Sequence, residues 1–65
     1  MYVIKNKITS LYISRSSKQH YYKYNKNISL AKTWSKVKYC ENYLNFKSEF
    51  QVINRNDFEI IEIKI

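Results

Sequence analysis

The sequence predicts a small α+β domain, an antiparallel sheet of three to five strands packed against one helix. Two observations carry this expectation: apolar residues alternate with period two near both ends of the chain, and a single central stretch has helical spacing. Sixty-five residues form one domain, 1–65, because a chain of this length buries only about 60% of the surface its unfolded form exposes. A hydrophobic content of 45%, with 17% aromatic residues, is richer than disordered chains carry, so a folded core is expected.

Gly and Pro are both absent, so breaks are read from clusters of Asn, Ser, Thr and Asp, whose side chains bond to nearby backbone and favour turns. Four such clusters stand out: Thr9-Ser10, Ser16-Ser17-Lys18, Asn25-Lys26-Asn27 and Asn54-Arg55-Asn56-Asp57. Before the first, Tyr2 to Ile8 puts Tyr2, Ile4 and Ile8 on one parity and Val3, Lys5 and Lys7 on the other, the pattern of a half-buried strand. Leu11 to Arg15 alternates in the same way, with Leu11 and Ile13 opposed to Tyr12 and Ser14, and a hairpin joins the two. Gln19 to Tyr24 is a third strand candidate, since Tyr fits a pleated surface. The last strand runs from Phe58 to Ile65, with Ile61, Ile63 and Ile65 toward the core and Glu62 and Lys64 in water; Phe50 to Ile53 pairs with it as a hairpin.

One continuous helix over Ser29 to Phe46 would set Glu41 in the middle of the stripe made by Leu30, Trp34, Val37 and Leu44. A break at Ser35, an acceptable N-cap, relieves this conflict. The helix then covers Lys36 to Phe46 and buries Val37, Cys40 and Leu44, while a short turn or strand before it drops Trp34 into the core. The expected core is Ile4, Ile13, Trp34, Val37, Leu44, Ile61 and Ile63.

Composition also excludes functions. Without glycine there is no phosphate-binding loop, dinucleotide fingerprint or nucleophile elbow. Cys40 and His20, each the sole residue of its type, supply neither an internal disulfide nor the ligands of a structural zinc, and no cofactor is expected. Nothing in the sequence sets His20 beside Cys40 as a base, so Cys40 is read as a packed structural thiol. Glu59 and Glu62 have opposite strand parity and form no facing acid pair. No catalytic residue is assigned, and the protein is not expected to be an enzyme. Lys5 and Lys7 interrupt the apolar run that a secretory signal needs, no stretch is long enough to span a bilayer, and a lone thiol suits a reducing cytoplasm.

The net charge of +7 is unevenly spread. Residues 1–40 hold nine cations and no carboxylate, whereas residues 41–65 hold five carboxylates and three cations. Such a field draws polyanions or an acidic protein face toward the basic side; scattered lysines also keep an aromatic-rich miniature soluble. The expected partner-binding residues are Arg15, Lys18, Tyr21, Lys23, Lys26, Lys36 and Tyr39. Across Arg15 to Lys26, basic residues interleave with tyrosines, which suits single-stranded nucleic acid through phosphate neutralisation and base stacking, and equally suits an acidic protein surface. Among the seven tyrosines, Tyr2 and Tyr22 are expected at the core, and Tyr21, Tyr39 and Tyr43 at the surface, where rigid amphipathic rings favour interfaces.

Several landmarks taken together resemble a group of small phage and mobile-element proteins of the anti-defence, anti-CRISPR-like type. These are the opening Tyr2-Val3-Ile4-Lys5, the Leu11-Tyr12-Ile13 strand, the Ala31-to-Ser35 step into a Lys-rich helix at Lys36 to Leu44, and the Ile/Glu alternation of Ile60 to Ile65. The glycine usual in the first turn of that group is replaced here by Thr9-Ser10. The excess of Lys, Asn, Ile, Tyr and Phe is what AT-rich coding gives in low-GC bacteria and their phages. The resemblance implies an accessory protein that works in the host cytoplasm by non-catalytic binding, inhibiting a defence effector through an acidic protein or ribonucleoprotein surface. It carries over no site residue. A non-specific RNA- or single-stranded-DNA-binding module is the alternative expectation, and a monomer or weak homodimer is expected in either case.

Overall fold

The computed structural model describes residues 1–17, 23–50 and 53–64. Strands β1 (Tyr2–Asn6), β2 (Tyr12–Ile13), β3 (Tyr24–Asn25) and β4 (Phe58–Glu62) form a four-stranded antiparallel sheet in the order β3-β2-β1-β4. One helix, α1 (Val37–Glu49), covers one face, and single 3-10 turns at Ile28–Leu30 and Arg55–Asp57 punctuate the connections. The α+β class with an antiparallel sheet and one helix is the one the sequence predicts, and four strands fall within the expected three to five.

Without glycine or proline, the chain turns on asparagine and serine. The Asn6 side-chain Oδ1 accepts from the Ile8 and Thr9 amides, and Ser10 closes the β1–β2 turn at φ 62°, a left-handed conformation unusual outside glycine. Asn27 and Asn54 cap the two 3-10 turns in the same way, each accepting from the amide two residues on. All three are side-chain substitutes for a glycine turn.

β1 and β2 pair directly at Lys5 and Tyr12 and then diverge. Residues 31–34 fill the wedge: Ala31 bridges Ser14, the Lys32 amide donates to the Ile13 carbonyl at 2.8 Å, and Trp34 and Tyr2 exchange both backbone bonds at 2.8 and 2.9 Å. Trp34, expected in the core, is thereby set at its edge, partly buried against the cluster.

Facing residues in an antiparallel pair share a side of the sheet. Tyr2, Ile4 and Asn6 lie opposite Glu62, Ile60 and Phe58 and share the helix side. There Ile4, Ile13, Cys40, Leu44 and Phe58 form the buried cluster, with Tyr2, Trp34, Tyr43, Ile53 and Ile60 packed around it.

Four sequence expectations are corrected. The last strand has the opposite parity, with Phe58 and Ile60 toward the helix and Ile61 and Ile63 half-buried outside the cluster. Its apolar residues cannot all share one face, and the larger aromatic side chain takes the core. Its partner is β1, and Phe50 instead ends α1; residues 51 and 52 of the expected hairpin lie outside the described residues. The helix begins after Lys36 and runs to Glu49, so Val37 is its first residue, at the end of the buried stripe, and is 40% exposed rather than buried. Val3, set with Lys5 and Lys7 on the parity opposite Tyr2, Ile4 and Ile8 in a strand expected to be half-buried, is fully buried. Most of the proposed third strand, at 19–22, lies outside the described residues, as do His20 and Tyr22; of its described part, Tyr24 pairs in β3 and the Lys23 carbonyl accepts from the Ser14 amide.

Candidate partner-binding surface

The backbone pairing gathers cations at one end of the sheet. Arg15 donates its amide to the Leu30 carbonyl at 3.0 Å, and the Lys23 carbonyl accepts from Ser14 at 2.8 Å. The Ser17 hydroxyl holds Lys23 in place, donating to its carbonyl and accepting from its amide, each at 2.9 Å. Lys32 lies against Ile13, Lys36 is two residues beyond the Trp34 that pairs with Tyr2, and Lys64 follows the Ile63 amide bonded to Met1. Arg15, Lys23 and Lys36 are exposed. Glu62 is the carboxylate that the register puts at this end; it faces Tyr2 on the helix side and, through its charge first and then burial and a hydrogen bond, raises the tyrosine's pKa. Glu41 follows one turn further along α1.

Of the seven sequence-predicted residues, the structure brings Arg15, Lys23 and Lys36 to this end. Tyr39 is one helical turn past Lys36, 42% exposed, with the Lys38 ammonium 5.6 Å from its ring centre. Lys26 is exposed at the opposite end of β3, beyond the Asn25 that pairs with Tyr12. Lys18 and Tyr21 lie outside the described residues. Tyr43, expected at the surface, is instead half-buried against the core, its ring 5.1 Å from Trp34, because it lies one helical turn after Cys40 and beside Leu44 on the buried stripe.

Two lysines overlooked in the sequence flank this aromatic pair. Lys32 places its ammonium 5.6 Å from the Tyr43 ring centre and 6.0 Å from Trp34, and Lys47 approaches Tyr43 from its own helix at 5.6 Å. Lys47 is only 2% exposed, and burial, aided by the charge of Lys32, lowers its pKa. Lys47 falls one turn after Tyr43, which marks it as helix-side once the helix is known to reach Glu49; the Lys32 position depends on the wedge pairing, which has no local signature.

On the helix-free side of the same end, Ile28, Ser29, Ala31, Thr33, Ile63 and Lys64 line an open groove of about 480 Å³. Thr33 and Ile63 reach this side because Trp34 and Glu62, their neighbours, face the helix. Ile28 is 41% exposed on its rim.

Cys40 is fully buried and its thiol pKa is raised, chiefly by burial, which makes it an inert packing residue. Among the described residues, no three His, Cys, Asp or Glu side chains converge to hold a metal, and no helix is long and apolar enough to cross a membrane. Comparison with known proteins finds no matching family model, curated protein or solved structure.

Proposed function

We propose that this protein acts by non-catalytic binding, docking its cation-rich end on an acidic surface of a protein partner. The observation that carries this reading is the convergence of Arg15, Lys23, Lys32, Lys36 and Lys64, far apart in sequence, at one end of the sheet. A field of one sign steers an oppositely charged partner and raises its association rate. The aliphatic groove at the same end supports protein over nucleic acid, since Ile28, Ala31 and Ile63 offer no ring on which a base stacks and Trp34 and Tyr43 are packed against the core. The exposed rings beside the cations, Tyr24 and Tyr39, lie outside the groove lining. In keeping with the resemblance to phage anti-defence proteins, the partner is a defence effector in the cytoplasm of a low-GC bacterial host, and occupying its acidic surface blocks it.

The test is affinity capture from a nuclease-treated lysate of such a host, comparing the wild-type protein with a variant carrying Arg15→Glu, Lys23→Glu and Lys36→Glu. A stoichiometric protein retained by the wild type and lost by the variant supports the reading. Recovery of nucleic acid alone, when nuclease is omitted, points to the single-stranded nucleic-acid module instead.

A further inference from the structure

We infer that the groove between residues 28–33 and Ile63-Lys64 is a peptide-docking site for an acidic segment of the partner bearing an aliphatic anchor residue. This rests on the proposed function and names the part of the partner that the cation-rich end recognises.

The groove's shape comes from two departures from a regular sheet. Residues 31–34 enter the wedge between β1 and β2, which sets Ala31 and Thr33 on the helix-free side. The parity of β4 sends Ile63 to that same side. The 3-10 turn at Ile28–Leu30 then raises Ile28 as one wall. The resulting concavity, about 480 Å³, falls within the range that holds a few side chains rather than a whole folded element. Its floor is aliphatic, so it takes an aliphatic side chain; Lys64 is part of its lining, and the Arg15 amide bonds the Leu30 carbonyl of the same turn, which brings two cationic residues to its edge.

Charge selects the occupant. A second copy of this chain brings another +7 to a face that is already cationic, whereas an acidic segment is attracted to it. The carboxylate that the register brings closest, Glu62, faces the helix side and is bonded to Tyr2. An extended segment with an aliphatic anchor between acidic residues fits both features, because the anchor enters the floor while the neighbouring carboxylates lie over the rim beside the cationic residues.

The probe is a synthetic peptide of alternating leucine and aspartate, titrated to millimolar concentration into 15N-labelled protein, with a serine/aspartate peptide and oligothymidylate as comparisons. The expected result is amide shifts confined to Ile28 to Thr33, Ile63 and Lys64. Ile63→Glu weakens binding at least tenfold, and so does Ile28→Ser, an exposed substitution whose dispersed spectrum reports an intact fold. Affinity falls between 50 and 500 mM salt. Equal binding of the serine/aspartate peptide, an absence of shifts at millimolar peptide, or tighter binding of oligothymidylate to the same amides overturns the inference. Lysate capture lost with the Arg15, Lys23 and Lys36 reversals yet unchanged by Ile28→Ser overturns the groove while leaving the proposed function standing.

Discussion

Replacing Val3 by alanine separates the packing in the structure from the alternation in the sequence. By alternation, Val3 shares a face with Lys5 and Lys7 and its truncation costs nothing; in the structure Val3 is 0% exposed, opposite Ile61 and outside the helix-side cluster. Removing two methyl groups at about 0.8 kcal/mol each forfeits about 1.6 kcal/mol of transfer free energy. A residual cavity in a strand flanked on both sides raises this to about 2–3 kcal/mol. A domain of this length holds roughly 3–10 kcal/mol in total, so the change lowers Tm by roughly 10–20 °C. Urea unfolding followed by the fluorescence of Trp34, the only tryptophan, measures the loss. Lys7→Ala, of the same parity and exposed, serves as the reference and stays within about 0.5 kcal/mol. A Val3→Ala loss below about 0.5 kcal/mol would refute a buried Val3 and, with it, a second packed side of the sheet.

Lys47→Met stabilises the fold at neutral pH by about 1 kcal/mol, because the burial that lowers the lysine's pKa shows its charge to be held at a net cost; urea midpoints decide it, and a destabilised variant contradicts the reasoning. In the wild type, the folded state binds the Lys47 proton less well than the unfolded chain, so this residue's contribution rises with pH up to the ordinary value of 10.5, and the advantage of Lys47→Met shrinks over the same window. Cys40 and Tyr24 have raised values and act in the opposite sense, removing stability as pH climbs past their ordinary 9.0 and 10.0, which a Cys40→Ala comparison isolates for the thiol. Ser10→Gly relieves the left-handed conformation and raises stability by about 0.5–1 kcal/mol, less than the full strain because the unfolded chain also gains freedom; thermal unfolding monitors it. Under native conditions, Cys40 reacts with a disulfide reagent no faster than the protein opens, and prompt modification would mean that the cluster around Leu44 is not closed.

How far the sequence carried depends on how local each signal is. The β1–β2 turn, the asparagine caps and the burial of Ile4, Ile13, Cys40 and Leu44 follow from residues within a few positions of one another, and all are legible. The parity of β4 is not, because Phe58, Ile60, Ile61 and Ile63 offer two apolar faces, and choosing between them requires knowing that Phe58 lies opposite Asn6 on the helix side. The helix start turns on the same kind of information. Lys36 has no side-chain cap bond, so the boundary is set by where Trp34 is anchored on Tyr2 rather than by the capping preference of Ser35. Of the surface residues, Arg15, Lys23, Lys36 and Tyr39 are legible as basic or aromatic positions near turns and a helix start. Lys32 and Ile28 join them only through the bridge from Ser14 to Ala31, a contact across seventeen residues.

The choice that moved the core is also the one that made the surface. Once Phe58 occupies the helix side, period two compels Ile61 and Ile63 onto the face that no helix covers, where the wedge segment has already set Ala31 and Thr33. Among the described residues one 13-residue helix covers one side of the sheet, so aliphatic residues beyond the capacity of one core remain partly exposed on the other. Val3 is wholly covered, Ile61 and Ile63 are half-covered, and Ile28 is exposed at the end that carries Lys64. At that end the same pairing collects Arg15, Lys23 and Lys36. An aliphatic groove beside clustered cations therefore follows from one register and one wedge, and the same two features define the chemistry of the ligand: an aliphatic anchor with carboxylates beside it.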